Sequence, residues 1–88
     1  MNIEEATEIV QMPYNTEKTF AMVESEGKIC FLVNRSASKP VIIDAIEVLY
    51  GTRPVNVNTA RTIYGKKAFV KFASTEKARD LATKIGML

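Results

Sequence analysis

With one cysteine and no histidine, this chain of 88 residues has to fold on its hydrophobic core alone. Cys30 has no partner for an internal disulfide, and a zinc site built from cysteine and histidine is impossible. No cluster of Asp and Glu supports a carboxylate metal site. Hydrophobic residues make up 47% of the chain, which suits one small domain. We therefore expect a single domain over 1–88, with no metal ion and no cofactor.

The composition also argues against catalysis and membrane insertion. The absence of histidine removes the commonest general base, and the four glycines are too far apart to form a phosphate-binding loop. No apolar run approaches the roughly 20 residues of a membrane span. The N-terminus lacks the basic and apolar regions of a signal peptide. We predict a cytoplasmic protein that is not an enzyme and does not enter the membrane.

Charge is distributed unevenly along the chain. Residues 1–26 hold six Glu against one Lys, a net charge of −5, whereas residues 27–88 hold eleven Lys/Arg against four Asp/Glu, a net charge of +7. Between Glu47 and Glu76 there is no acidic residue at all. Such segregation indicates a polyanionic partner for one part of the surface. The alternative is a lysine-rich face that only contacts solvent.

Three segments have helical periodicity and end signals. Asn15 or Thr16 caps a predicted helix that runs to Glu26 and ends at Gly27. A second helix is predicted from the cap Ser38 to Tyr50, because apolar residues recur on one face and Pro40 suits the first turn. A third is predicted over 76–85, after a Ser or Thr cap and before a glycine.

The remaining segments alternate as strands do. Strands are predicted over 28–35, 53–63 and 67–72, with a tight hairpin turn at Tyr64-Gly65. Cys30 lies in the first of these among apolar neighbours, so we expect it to be buried and chemically inert. Residues 1–12 are interpreted as an acidic arm, which could be flexible over 1–8, ending in a short edge strand.

The predicted order is (β)αβαββα, an α+β fold with a small, mostly antiparallel sheet of three to four strands packed with helices. In the last strand, Ala68 and the apolar residues two and four positions later face the core, whereas Lys67, Phe69 and Lys71 face away. Phe69 could stack on an RNA base or pack under a helix. We favour packing, because Phe has no polar tip and the core is small.

Two groups of residues could bind nucleic acid. Arg35 and Lys39 lie beside the start of the second predicted helix, where backbone N–H groups favour an anion such as phosphate; the alternative is a plain turn with solvated ends. The predicted hairpin interleaves cations and hydrogen-bonding groups with Phe69, a pattern that suits RNA. Its polar members are Asn56, Asn58, Thr62, Lys66, Lys67 and Lys71.

Four segments in this order and spacing resemble a known family. They are Thr16-Glu17-Lys18 after Pro13, Val33-Asn34-Arg35-Ser36-Ala37-Ser38-Lys39-Pro40, Val57-Asn58-Thr59, and Gly65-Lys66-Lys67-Ala68-Phe69-Val70. Together they resemble the universal large-subunit ribosomal protein L23 family over residues 9–88. The short Tyr64-Gly65-Lys66 hairpin and the ending at 82–88 are similar to archaeal members.

The resemblance implies a structural constituent of the large ribosomal subunit, located on cytoplasmic ribosomes and monomeric when isolated. It implies binding to domain III of the large-subunit rRNA, beside the exit tunnel and next to other ribosomal proteins. It also implies a docking surface for the signal recognition particle and the protein-conducting channel. Glu17 matches the docking glutamate of bacterial members, and the factor that would contact it here is open. From the residues and the resemblance together, the expected rRNA-binding residues are Lys18, Arg35, Lys39, Asn56, Asn58, Thr59, Arg61, Lys66, Lys67 and Lys71.

Two other classes of protein stay open as alternatives. A free single-stranded-RNA-binding module of RRM-like topology needs aromatic residues on two adjacent central strands, and only Phe69 qualifies. A small-ligand regulatory or enzymatic α+β domain is disfavoured because there is no histidine and no carboxylate pair at useful spacing.

Overall fold

Four α-helices and four β-strands make up the part of the chain that the computed structural model describes, residues 1–63 and 65–86. In chain order they are α1 (Ile3–Ile9), β1 (Val10–Pro13), α2 (Glu17–Glu26), β2 (Lys28–Val33), α3 (Lys39–Tyr50), β3 (Asn56–Thr62), β4 (Gly65–Lys71) and α4 (Thr75–Lys84). The strands form one antiparallel sheet in the order β1-β2-β4-β3. The predicted α+β class is confirmed.

The three predicted helices are present. Ser74 caps α4 by accepting from the Lys77 amide at 3.1 Å, whereas Ser38 occupies the N-cap position of α3 without a side-chain capping hydrogen bond. At the start of α2, the Thr16 hydroxyl accepts from the Thr19 amide at 3.2 Å and the Thr19 hydroxyl accepts from the Thr16 amide at 2.8 Å. This reciprocal pair is a capping box. Gly27 ends α2 in the left-handed conformation at φ 67°. A Cβ there would lie 3.4 Å from the Thr75 amide nitrogen, an ordinary contact distance, so the left-handed turn is what favours glycine at this position.

The helix α1 corrects the sequence prediction, which placed an acidic arm over these residues. The Asn2 side chain accepts a hydrogen bond from the Glu5 amide at 2.8 Å, and Glu4 and Glu5 lie in the first turn, where negative charge suits the helix dipole. Ala6 is fully buried, and α1 packs against α3. The short capping sequence and this tertiary contact together explain a helix that apolar periodicity did not reveal.

Strand boundaries differ from the predicted ones for local reasons. β2 ends at Val33, because the Asn34 side chain accepts from the Ser36 amide and turns the chain. β3 begins only at Asn56, after Pro54, which has no N–H to donate to a ladder. β1 is the predicted edge strand and pairs with β2. Tyr64 of the predicted turn lies outside the described residues.

One face of the sheet carries the hydrophobic core. The buried residues of all four helices form a single cluster with Ile29, Phe31 and Val33 of β2, Val57 of β3, and Ala68 and Val70 of β4. Phe72, just after β4, belongs to the same cluster, as predicted. The helices therefore share one side of the sheet, and the side chains on its other side are left without a helical layer.

Cys30 is buried on the side of the sheet away from the helices, as predicted. Its residue is 2% exposed, and it lies directly opposite Phe69 of β4. Burial raises the pKa of the thiol to about 11, against a smaller opposing effect of the Lys67 charge. The neutral thiol is therefore the form that persists in the folded protein at physiological pH.

We expect the Cys30 thiol to be unreactive in the native protein. With a pKa of about 11, only about one thiol in a thousand is ionised at pH 8. A maleimide or disulfide reagent should label the protein at the rate of unfolding, and rapidly in denaturant. Fast stoichiometric labelling of folded protein would contradict the burial of this residue.

The same thiol makes stability depend on alkaline pH. As pH rises from about 9 to about 11, the unfolded chain releases the thiol proton while the folded chain keeps it, so folding stability falls. The Cys30→Ala variant removes this contribution, whereas other alkaline titrations remain in both proteins. Urea unfolding of both proteins at pH 7 and pH 10 measures it, and an equal loss in the two would contradict the prediction.

Candidate nucleic-acid interface

The helix-free side of the sheet, here called the open face, combines lysines with amide and apolar side chains. Strand register aligns it in rows: Lys28, Lys71 and Asn56; then Cys30, Phe69 and Asn58; then Leu32, Lys67 and Ala60. Phe69 thus sits on the central strand β4 between two lysines. This face can offer positive charge, hydrogen-bonding amides and an aromatic ring to one ligand.

The prediction that Phe69 packs under a helix is wrong. It is half-buried among its strand neighbours, while the helices cover the opposite side of the sheet. Cys30 and Asn58 lie directly opposite it on the two flanking strands. The ring therefore shields Cys30 with one part of its surface and leaves another part accessible on the open face.

Tyr14 adds a second aromatic ring that sequence reasoning missed. Its amide donates to the Cys30 carbonyl at 2.9 Å, which holds Tyr14 against β2 just beyond β1. The Lys67 ammonium nitrogen lies 3.9 Å from the centroid of the Tyr14 ring, a cation–π contact. Nothing near Tyr14 in the sequence signals this contact, because it depends on the pairing of β1 with β2 and of β2 with β4.

A second group of cations surrounds a cleft at one end of the sheet. The cleft, here called the end cleft, has a volume of about 180 Å³ and is lined by Arg35, Arg61, Thr62, Gly65 and Lys66. Arg61 and Lys66 are opposite each other on β3 and β4, and the next residues toward the strand centres, Ala60 and Lys67, belong to the open face. The end cleft therefore borders the open face at this end of the sheet but opens toward the helix side, because successive strand residues point to opposite faces.

Contrary to the sequence prediction, the structure does not bring Arg35 and Lys39 together at one site. Arg35 shares the end cleft with the hairpin, and Lys39 is an exposed residue at the start of α3 that does not line it. Thr59 faces the helix side, opposite Ala68, and is half-buried. Lys18 is exposed in the first turn of α2, apart from both groups.

Most cations of the open face and the end cleft have no carboxylate partner in the described part of the chain, and the same is true of Lys18, Lys39, Lys77 and Lys84 elsewhere. Within residues 1–63 and 65–86, carboxylates pair with Lys28, Arg53 and Arg79. Arg53 contacts Glu47 at 3.1 Å and Asp44 at 3.2 Å, and these hydrogen bonds raise its guanidinium pKa. No such pair in this described part involves the remaining cations of the two surfaces, which are Arg35, Arg61, Lys66, Lys67 and Lys71.

No group of three or more His, Cys, Asp or Glu side chains is placed to hold a metal ion within the described residues. In the same part of the chain, every helix is too short or too polar to cross a membrane. What the two adjacent surfaces can do chemically is to bind an extended anion, by charge and by contact with aromatic rings.

The model of the family described as ribosomal protein L23 matches residues 8–84. The chain belongs to the ribosomal protein L23 family. Members of this family are structural proteins, so the prediction that the chain is not an enzyme is confirmed.

Individual relatives agree with the family match. The chain is 36% identical over 80 residues to large ribosomal subunit protein uL23 of Thermoplasma acidophilum, covering 91% of this chain and 95% of the relative. It is 42% identical over 74 residues to the Pyrobaculum aerophilum protein of that name, covering 83% of this chain and 91% of the relative. It is 38% identical over 81 residues to the Tetrahymena thermophila protein, covering 91% of this chain but 54% of the relative. The predicted resemblance is confirmed by archaeal and eukaryotic relatives.

The contact between Lys67 and Tyr14 should couple the two residues energetically. In a double-mutant cycle of Tyr14→Leu and Lys67→Met, we expect a coupling of about 0.5–1 kcal/mol in the free energy of unfolding, the size of an exposed cation–π contact. Urea denaturation measures it. The control cycle combines Tyr14→Leu with Lys71→Met. Lys71 has no described contact with the ring, so this cycle should give no coupling. Equal values in the two cycles would remove this contact from the site.

Proposed function

We propose that the protein binds large-subunit rRNA through the open face and the adjacent end cleft. Membership of the L23 family makes it a structural protein of the large ribosomal subunit. The observation that carries the proposal is the set of five cations without carboxylate partners on these two surfaces. Protein groups of this kind are neutralised by phosphate, which releases counterions from the RNA.

The two surfaces divide the work of binding by their chemistry. On the open face, Lys67 and Lys71 offer phosphate contacts, and Phe69 and Tyr14 offer surfaces on which unstacked bases can lie. The exposed amides of Asn56 and Asn58 can donate to and accept from base edges or 2′-hydroxyl groups. The end cleft is almost purely cationic and suits phosphate alone.

The location on the subunit is proposed from the family. We place the contact in domain III of the large-subunit rRNA, beside the exit tunnel and next to neighbouring ribosomal proteins. The helix layer lies on the side opposite the open face, so a protein bound to RNA by the open face leaves its helices accessible to other partners.

Glu17 is the residue that we propose for factor docking, with the signal recognition particle and the protein-conducting channel as partners implied by the family. It is exposed at the start of α2 and lines a shallow depression with Asn15, Thr16 and Phe20. The other two acidic residues of α2 are engaged: Glu24 pairs with Arg79 at 3.8 Å and Glu26 with Lys28 at 3.6 Å. Glu17 has no ion pair within the described residues and is the acidic side chain of α2 that a cationic partner can contact.

The arrangement of aromatic residues on the sheet does not support the RRM-like alternative. Such a module stacks bases on aromatic residues of two adjacent central strands. Opposite Phe69 on the other central strand lies Cys30, with Leu32 in the next row. The second ring, Tyr14, comes from beyond the edge strand, so the arrangement is a different one.

Replacing Lys67 and Lys71 together by Ala should weaken rRNA binding and reduce its salt dependence. Two lost phosphate contacts make the slope of log K against log salt shallower by about 1.4–1.8. Filter binding to purified large-subunit rRNA at several salt concentrations measures this slope. The matched control, Lys77→Ala with Lys84→Ala on α4, removes the same charge from the helix side and should leave the slope close to that of the wild type. Equal slope changes in both pairs would refute the assignment of the open face.

Glu17→Lys should leave incorporation into large subunits intact and slow the association of a docking factor at low salt, because a rim charge acts mainly on the association rate. Glu8→Lys on α1 makes the same charge change at another exposed position and serves as the control. Sedimentation tests incorporation, and stopped-flow binding of the signal recognition particle to the assembled ribosome tests docking. If the Glu17→Lys protein fails to enter subunits, Glu17 belongs to the RNA contact or to the fold.

A further inference from the structure

The end cleft brings three positive charges together without a carboxylate between them. Arg61 and Lys66 are directly opposite each other on β3 and β4, and like charges at such positions destabilise a sheet. Arg35 comes to the same cleft from the loop after β2. Ion pairs in the described part of the chain involve none of the three. A bound anion would offset this repulsion.

Lys66 is fixed in a way that the two arginines are not. It is half-buried, and its ammonium donates to the Ala37 carbonyl at 2.6 Å. Ala37 is itself buried and lies two residues after Arg35 in the loop between β2 and α3. The bond therefore ties β4, which is paired with the strand that carries Arg61, to the loop that carries Arg35.

The backbone on either side of Arg35 is held by further hydrogen bonds. The Asn34 amide donates to the Ile9 carbonyl at 2.8 Å, and the Ala37 amide donates to the Asn34 carbonyl at 3.1 Å. The Asn34 side chain accepts from the Ser36 amide at 3.0 Å and from the Ser36 hydroxyl at 2.8 Å. Arg35 therefore extends from a loop whose position is already determined before any ligand binds.

We propose that the end cleft seats a single phosphate of the RNA backbone, with Arg35 and Arg61 as its donors and Lys66 as a positioning residue. Arginine presents a planar fork of N–H donors that matches phosphate oxygens, and two such forks around one cleft suit one tetrahedral group. Arg61 and Lys66 point to the helix side of the sheet, because they alternate with Ala60 and Lys67 of the open face. An RNA strand that contacts both surfaces would therefore pass around this end of the sheet, which favours a backbone phosphate over a free ion. This inference rests on the proposed function and assigns a shared ligand to two residues within it.

A salt-dependent double-mutant cycle tests whether the arginines share one phosphate. Arg35→Ala and Arg61→Ala together should make the slope of log K against log salt for rRNA shallower by about 0.7–0.9, the value for one phosphate. Their effects on affinity should be strongly non-additive. If the arginines bound two separate phosphates, the slope would instead become shallower by about 1.4–1.8, and the two effects on affinity would be additive. The reference pair, Lys67→Ala with Lys71→Ala, should give the larger value, since those lysines lie at separate rows of the open face.

The role of Lys66 is tested in the same cycle. Lys66→Met keeps the apolar stem and removes the ammonium, so the loop is released and the two arginine effects should become additive. Lys66→Arg retains a donor for the Ala37 carbonyl and should restore their coupling, with thermal unfolding verifying that both variants are folded. If coupling between the arginines persists in Lys66→Met, the positioning role is wrong.

Inorganic phosphate distinguishes a backbone phosphate from a free ion. At matched ionic strength, phosphate should inhibit RNA binding by the wild type more strongly than chloride, because it competes with the backbone phosphate for the two arginines, and this difference should be lost in the double arginine variant. Binding of phosphate to the cleft without such inhibition would identify a free-anion site and overturn the proposal. Additive arginine effects with otherwise normal RNA binding would refute this inference alone. Absence of RNA binding by the wild type would refute the proposed function as well.

Discussion

The burial of apolar side chains on a single face of the sheet is the constraint from which both the fold and the interface follow. On β4, Ala68 and Val70 pack under the helices, and the residues between them, Lys67, Phe69 and Lys71, must therefore face the other way. A shift of register by one residue would bury lysines and expose the core. The hydrophobic effect thus fixes the positions of the open-face cations, although it acts on the opposite side of the strand.

The distribution of carboxylates then decides which cations remain available. The long acid-free stretch of sequence does not map onto one surface: Arg53 lies within it, yet the fold brings Asp44 and Glu47 of α3 to its guanidinium. The acidic α2 is likewise divided, because Glu24 and Glu26 have partners whereas Glu17 does not. Three-dimensional pairing, more than local composition, separates the charges that stabilise the fold from those that can meet a partner.

The sequence was sufficient for those features that depend on local patterns. The helices α2, α3 and α4, the inward face of β4 and the burial of Cys30 all follow from periodicity, capping residues and glycine positions. α1 was missed because seven residues carry little periodicity and the helix depends on contact with α3. The environment of Phe69 was misjudged because alternation assigns a face of the sheet but not the layer that covers it.

The candidate site was predictable in its residue types but not in its grouping. Five of the ten expected RNA-binding residues are the unpaired cations of the two surfaces, whereas Lys39, Thr59 and Lys18 lie elsewhere. The union of Arg35 with Arg61 and Lys66 depends on which strands are neighbours in the sheet. That information, like the approach of Tyr14 to Lys67, is non-local and leaves no trace in short segments of sequence.

The position of β3 at the edge of the sheet affects how a newly made chain can associate with other chains. β3 is an outer strand of the sheet, and within the described residues it pairs with β4 alone, so its other edge carries backbone groups that a second chain could use. The strand limits that risk by its sequence, because it follows Pro54 and carries Arg61 near its end. Two copies paired in parallel along this edge would place their cationic end clefts side by side. The charge of the end cleft therefore also discourages a newly made chain from associating with its own copies in that parallel arrangement.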